Sequence, residues 1–133
     1  MKFFLKKSFS IIELIFVIAI LGIIAAMAVP KLMDSRSSAI VTTIKQDIST
    51  ITSSIQSYYI INNKIDQISD SVTINKSRWK ISDLEVEYIS EEKTCIEIII
   101  KENQLNVSIN ETSSDICQKI YDSGIRNVTY DLY

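Results

Sequence analysis

The sequence contains no histidine among its 133 residues. Histidine is the side chain that most often acts as general acid or base near neutral pH, and it is the commonest metal ligand in proteins. Its absence excludes Ser/His and Cys/His nucleophile pairs and removes the basis for most metal sites. We therefore expect a non-enzymatic protein that holds neither a metal nor another cofactor.

Glycine and proline are also scarce, with two glycines and one proline in the whole chain. Phosphate-binding loops need several glycines at fixed spacing, and no such loop is present. The net charge is −2 and the basic residues after Lys7 are scattered, so no basic stripe exists that could bind phosphate backbones. We expect no direct nucleic-acid partner.

An apolar run of 21 residues dominates the amino-terminal region, from Phe9 to Val29, and only Ser10 and Glu13 in it are polar. As a helix the run would be about 31 Å long, which matches a hydrocarbon core of about 30 Å. Three lysines precede it, Lys2, Lys6 and Lys7. Because basic flanks stay in the cytoplasm, residues 31–133 are predicted to cross the membrane.

Two simple interpretations of this run are a single-span membrane anchor and a secretory signal peptide. Ala26-Met27-Ala28 has the small-x-small form that signal peptidase cleaves. Glu13 disfavours the signal peptide, since it interrupts the apolar region. The helical pattern that continues beyond Ala28 disfavours it as well.

A third interpretation comes from a resemblance. The basic residues Lys6-Lys7, the small Ser8 and the following Phe9-Ser10-Ile11-Ile12-Glu13 resemble the class III leader of type IV pilins and type II secretion pseudopilins. The resemblance implies that prepilin peptidase cleaves between Ser8 and Phe9 and that Phe9 is then N-methylated. The family usually has glycine where this chain has Ser8. Loss of residues 1–8 would leave 11 basic and 16 acidic residues, a net charge of −5.

The resemblance also assigns a role to Glu13. A carboxylate within a membrane helix costs several kcal/mol and marks a functional site by default. In the family this glutamate pairs with the terminal amine of an adjacent subunit during filament assembly, so Glu13 is expected to pair with Phe9 of a neighbour. The alternative is a carboxylate that reaches the lipid headgroups from its own chain.

Gly22 and Pro30 lie at the family's usual spacing from Phe9. Assembled members of the family can lose helical order in this region, so the resemblance implies a weak point between these two residues. The alternatives are a close-packing glycine against another helix and an ordinary proline kink.

Beyond Pro30 the pattern predicts an amphipathic continuation of the helix to about Tyr59, with Asn62-Asn63 as its stop signal. One helical stripe is apolar: Ile40, Ile44, Ile48, Ile51 and Ile55. After residue 64 the periodicity changes to that of strands, predicted at Leu84–Ile89, Cys95–Lys101 and Gln104–Ile109.

Other features complete the predicted domain. Glu102-Asn103 is expected to form a tight hairpin, residues 113–121 a short helix or turn, and residues 125–133 an edge strand. Trp79 is placed in the loop between helix and sheet, covering the core. The predicted fold is α+β, a long amino-terminal helix packed on a small antiparallel sheet, which resembles the pilin "ladle". The predicted parts are a leader (1–8), a transmembrane half-helix (9–30), an amphipathic half-helix (31–63) and a periplasmic β domain (64–133).

Cys95 and Cys117 are the only cysteines. In an oxidising periplasm such a pair is a disulfide candidate, closing a loop of about 20 residues worth about 3 kcal/mol. Two buried free thiols are the alternative.

These features together predict a structural subunit of a pilus-like filament, a pseudopilin of type II secretion or of DNA uptake in competent cells. The expected partners are further copies and minor pseudopilins in a helical filament, prepilin peptidase, an inner-membrane assembly platform with its ATPase, and membrane lipid. The expected location is the inner membrane, with a cytoplasmic amino terminus and a periplasmic domain, and then a filament in the periplasm or at the cell surface. A type IV pilin proper is one alternative; a secreted or membrane-anchored periplasmic binding module is an alternative of a different class.

Overall fold

The structure is a computed structural model that describes residues 8–133. Of the predicted leader only Ser8 is described, and the remainder lies outside the described residues. The chain divides into two compact units, one ending at Arg36 and the other comprising Ser37–Tyr133. Helix α1, Ile11–Asn62, contributes residues to both units.

The second unit contains the carboxyl-terminal half of α1 and every other element. A single 3-10 turn at Ile68–Asp70 follows α1. The remaining elements are β1 (Trp79–Ile81), β2 (Glu85–Ser90), β3 (Lys93–Lys101), β4 (Gln104–Ile109), α2 (Asp115–Asp122) and β5 (Val128–Asp131). The five strands form one antiparallel sheet in chain order. The predicted α+β architecture is therefore confirmed.

The isoleucine stripe of α1 forms one side of the hydrophobic core. Ile44, Ile48, Ile51 and Ile55 are buried, and they join one cluster with inward-facing sheet residues such as Val86, Ile98 and Leu105. Alternate residues of β4 are buried, as period-2 patterning predicts. This stretch of α1 is rich in Ile and Thr, which have weak helix propensity, so packing against the sheet stabilises it.

Two tight turns connect β2 to β3 and β3 to β4. Glu102 and Asn103 have φ of 51° and 61°, and Glu91 and Glu92 have φ of 52° and 63°. Left-handed backbone at both central residues is the type I′ geometry, whose twist matches that of antiparallel strands. The hairpin predicted at Glu102-Asn103 is confirmed. Asn63, with φ of 57°, ends α1 as the stop signal predicted.

The loop assignment of Trp79 was wrong, because Trp79 is the first residue of β1. It pairs with Tyr88 of β2 and is 1% exposed, so its predicted role in the core is confirmed. A three-residue strand offers too few positions for alternation to be recognised in the sequence. Strand β5 is also shorter than predicted, since it spans Val128–Asp131 only.

Candidate functional site

The predicted cleavage site lies outside regular secondary structure. Ser8, Phe9 and Ser10 precede α1, which begins at Ile11. The Ser10 carbonyl accepts hydrogen bonds from the N–H groups of Glu13 at 3.1 Å and Leu14 at 3.2 Å, which closes the first turn. The Ser8–Phe9 peptide bond therefore lies where the backbone makes no helical hydrogen bonds, and such backbone is open to a peptidase.

The amino-terminal half of α1 presents apolar side chains on all sides. Large apolar residues from Phe9 to Met33 are 42–79% exposed, and the helix is long and apolar enough to cross a membrane. A continuous apolar surface of this size is stable only when lipid or other apolar surfaces cover it. The second unit has its own core, so this surface is not needed to complete the fold of residues 37–133.

Glu13 lies in the first turn of this apolar helix. Its carboxylate takes part in none of the ion pairs between residues 8 and 133. The helix dipole favours a negative charge at this end by about 0.3–1 kcal/mol, less than the cost of a carboxylate within a membrane helix. Residues 8–133 thus provide the negative charge of Glu13 without a cation that pairs with it.

Helix α1 continues through Gly22 and Pro30. A Cβ added at Gly22 would meet no atom within 4 Å, so nothing in residues 8–133 requires glycine there. Pro30 has no N–H, which leaves the carbonyl one turn earlier, that of Ala26, without its helical donor. The weak point between these residues stays a prediction.

An ion-pair and hydrogen-bond cluster that the sequence analysis missed holds α1 against β1. One carboxylate oxygen of Asp47 accepts a hydrogen bond from the guanidinium of Arg78 and another from the indole N–H of Trp79, both at 2.8 Å. The side chains of Arg78 and Asp47 are 33% and 27% exposed. The sequence feature that could have indicated this cluster is Asp47 itself. It is the only charged residue between Lys45 and Lys64, and it lies beside the isoleucine stripe.

We expect Asp47→Ala to lower the free energy of unfolding by about 1–3 kcal/mol, because the buried indole N–H of Trp79 and the Arg78 guanidinium lose their acceptor. Asp47→Asn keeps one acceptor oxygen and is the matched control, with a smaller expected loss. Trp79 is the only tryptophan. Its fluorescence during denaturant unfolding of the full chain in detergent therefore measures the loss of unfolding free energy in each variant. Equal losses for the two variants would contradict a hydrogen-bonding role of the carboxylate.

Cys95 of β3 and Cys117 of α2 form a disulfide with a Cα–Cα separation of 5.7 Å. The predicted pairing is confirmed and the alternative of two free thiols is wrong. Both residues are buried, at 1% and 0% exposed. The Ser114 hydroxyl caps α2 by accepting from the Cys117 N–H at 3.3 Å, and it also lies 3.0 Å from the Cys117 sulfur. The bond therefore fixes the start of α2 on the sheet.

The end of α2 is held by a lysine from α1. The Lys45 ammonium donates to the carbonyl of Ser123, the residue that follows α2, at 3.0 Å. A cation at a helix carboxyl terminus complements the helix dipole. Both ends of this eight-residue helix are therefore anchored, one by the disulfide and one by α1.

The outer face of the sheet is acidic where β2 and β3 meet. Glu87 lies directly opposite Glu97, and Glu85 lies two residues along β2. A hydrogen bond with the Glu97 carboxyl group, partial burial and the charges of Glu97 and Glu87 together raise the pKa of Glu85 above its ordinary value of 4.5, against the opposing effect of Lys80. Such a face repels phosphate groups rather than binding them.

Comparison with known proteins gives one informative match. A stretch of 57 residues is 39% identical to the type II secretion system core protein G of Pseudomonas aeruginosa. The stretch is 43% of this chain and 40% of the relative, so the chain spans less than half of the length of the curated protein that it matches. No family model matches the chain, and no solved structure matches it significantly. The match supports a pseudopilin relationship.

Proposed function

We propose that the chain is a structural subunit of a pilus-like filament, a pseudopilin of a type II secretion system or of a DNA-uptake system. In this proposal the chain carries out no chemical reaction itself, and an ATP-driven platform in the inner membrane supplies the work of assembly. The observation that carries the proposal is the position of Glu13. It is the single carboxylate of the exposed apolar run Phe9–Val29, five residues after the non-helical bond between Ser8 and Phe9.

Cleavage after Ser8 would give this carboxylate a partner. It would create an α-amino group on Phe9 with a reference pKa of about 8, cationic at neutral pH. Each charge is costly alone in an apolar bundle, and pairing Glu13 of one subunit with Phe9 of another neutralises both. Because buried ion pairs contribute more to register than to net stability, the pair would set how far neighbouring helices are staggered.

The second unit is suited to the outside of such a filament. It has a closed core and a disulfide, which is the usual reinforcement of small domains in oxidising compartments. Apolar helices would form the filament interior, and the sheet domain would face the periplasm or the cell exterior. The acidic outer face of the sheet disfavours direct contact with nucleic acid, although it does not argue against a role in moving DNA.

The test is the mass of the mature amino terminus in the native host. We expect N-methylated Phe9 as the first residue, with residues 1–8 removed. Ser8→Gly should be processed in the same way, and Ser8→Phe should not be processed because a bulky residue precedes the cut. A first residue at Val29 would instead identify a secreted module, and an intact Met1 a plain membrane anchor; either result would overturn the proposal.

A further inference from the structure

The two edges of the sheet differ in whether their backbone groups are already used. At the start of the β1 edge the N–H of Trp79 donates to the carbonyl of Asn75 at 3.0 Å, and just beyond its end the carbonyl of Asp83 accepts from the N–H of Ile68 at 2.7 Å. The loop between α1 and β1 thus engages the backbone at both ends of this edge. Lys80 at the centre of β1 is a further protection, since lysine disfavours pairing with another strand.

At the β5 edge, residues 8–133 provide no such cover. The Leu132 N–H donates to the Asn103 carbonyl at 2.8 Å, so the backbone of Leu132 faces β4. The backbone groups of a strand point alternately to its two sides. The N–H and C=O groups of Val128 and Tyr130 therefore also face β4, whereas those of Thr129 and Asp131 point away from β4. No backbone hydrogen bond between residues 8 and 133 engages the N–H groups of Thr129 and Asp131.

The residues of β5 are favourable for pairing. Val, Thr and Tyr are among the residues most enriched in strands. The strand Val128–Asp131 contains no lysine, proline or bulge that would block a second strand, and its one charged residue, Asp131, lies at its end. An edge that is open, regular and rich in such residues is a template for another strand.

We propose that β5 is an interaction surface for the β5 strand of a second copy of this chain, paired antiparallel about a two-fold axis at Thr129. The outward N–H and C=O groups of β5 belong to odd-numbered residues. Hydrogen bonds between the two copies therefore form only when an odd-numbered residue of one strand lies opposite an odd-numbered residue of the other. With Thr129 opposite its own counterpart, Asn127 lies opposite Asp131 of the second copy. This register allows about six backbone hydrogen bonds across the axis.

The side chains are complementary on both faces in this register. On the core face Val128, which is 39% exposed although it pairs with buried Val107, would pack against Tyr130 of the second copy. On the outer face the Asn127 oxygen already accepts from the Ile109 N–H at 2.8 Å. Its NH₂ group is then placed to donate to the Asp131 carboxylate of the second copy, as a further donor beside the Gln104 amide at 2.8 Å and the Tyr133 hydroxyl at 3.0 Å. Sliding the strands by four residues would instead bring the two Asp131 carboxylates together.

This contact goes beyond the proposed function, because it uses none of residues 8–36. An isologous contact closes on itself once two copies have met. It therefore defines a pair of chains, not the repeating contact of a helical filament, and it holds whether or not the chain is cleaved after Ser8.

The test is disulfide trapping of the full chain in the membranes of its host. Directly opposed residues of a hydrogen-bonded antiparallel pair have Cα atoms about 5.5 Å apart, within the range of about 4.4–6.8 Å that a disulfide spans. Thr129→Cys should therefore give a covalent dimer on mild oxidation. Lys80→Cys is the control and should remain monomeric, because Lys80 is exposed on the opposite edge strand but its backbone groups face β2.

A second pair of variants separates pairing from random collision. Val128→Lys added to Thr129→Cys should reduce the dimer yield about tenfold, because it places a charge in the paired strands. Leu84→Lys is the control, since Leu84 is 37% exposed and lies before β2; it should leave the yield unchanged. Intact mass of the Cys95–Cys117 bond and Trp79 fluorescence verify folding. A yield for Thr129→Cys equal to that of Lys80→Cys, no effect of Val128→Lys, or capture of a different protein would each overturn the proposal.

Discussion

Glu13→Ala is expected to leave cleavage after Ser8 intact and to abolish incorporation into filaments. Cleavage depends on the residues around the Ser8–Phe9 bond, which lies outside α1, whereas assembly in our proposal needs a carboxylate for the neighbouring α-amino group. Without the Glu13 carboxylate, the α-amino group of the neighbouring subunit stays unpaired in an apolar bundle. Removing one member of a buried ion pair costs about 3–5 kcal/mol, which lowers the subunit association constant about a hundredfold or more.

The measurement combines the mass of the mature chain with its recovery in sheared or pelleted filaments. Ser10→Ala is the matched control, because Ser10 is the other polar residue of the apolar run; it should assemble normally. Glu13→Gln should fail in the same way as Glu13→Ala, since an amide cannot neutralise an ammonium group. Normal filaments from either Glu13 variant would remove the pairing role and favour a carboxylate that reaches the lipid headgroups.

Loss of the disulfide is expected to have the largest effect on the stability of the second unit. The bond joins residues 22 apart in sequence, and the chain-entropy relation for such a loop gives about 3 kcal/mol. Small domains have total stabilities of about 5–15 kcal/mol, so the loss is a substantial fraction. We expect Cys95→Ala with Cys117→Ala to unfold at clearly lower denaturant concentration than the oxidised chain.

Trp79 fluorescence of the full chain in detergent reports this transition. The internal control is the unaltered chain after reduction, which should lose nearly the same stability, because both treatments release the same loop. The single variant Cys117→Ala should lose nearly the same stability as the double variant, since both lack the bond and a buried free thiol packs as a small hydrophobe. Equal stability of the oxidised and reduced chains would show that α2 is held by its other anchors, the Ser114 cap and the Lys45 contact with Ser123.

Features that depend on local spacing were predicted well from the sequence. The isoleucine stripe from Ile44 to Ile55 became the buried face of α1, because helical periodicity alone decides which residues share a face. The alternation in β4 followed from the two-residue period of a strand, and the turn at Glu102-Asn103 followed from the length of the connection. Even without glycine, a two-residue connection between alternating runs leaves few turn types available.

Contacts between distant segments could not be predicted in this way. Asp47 and Trp79 are 32 residues apart, and nothing in either local pattern indicates that they meet. Trp79 was placed in a loop because β1 is too short to show alternation. The second turn with left-handed backbone, Glu91-Glu92, was likewise not recognised, since its place depends on the register between β2 and β3.

The sequence by itself determined that the chain has an apolar helix with one carboxylate, an amphipathic continuation and a set of short strands, because composition and periodicity act within one element. Only the tertiary structure decided that Asp47 ties α1 to β1, that the two cysteines lie close enough to bond, and that a loop engages both ends of the β1 edge while the β5 edge is open. Those features depend on which elements become neighbours, and that is settled by burial of the whole core and by strand register rather than by any one segment.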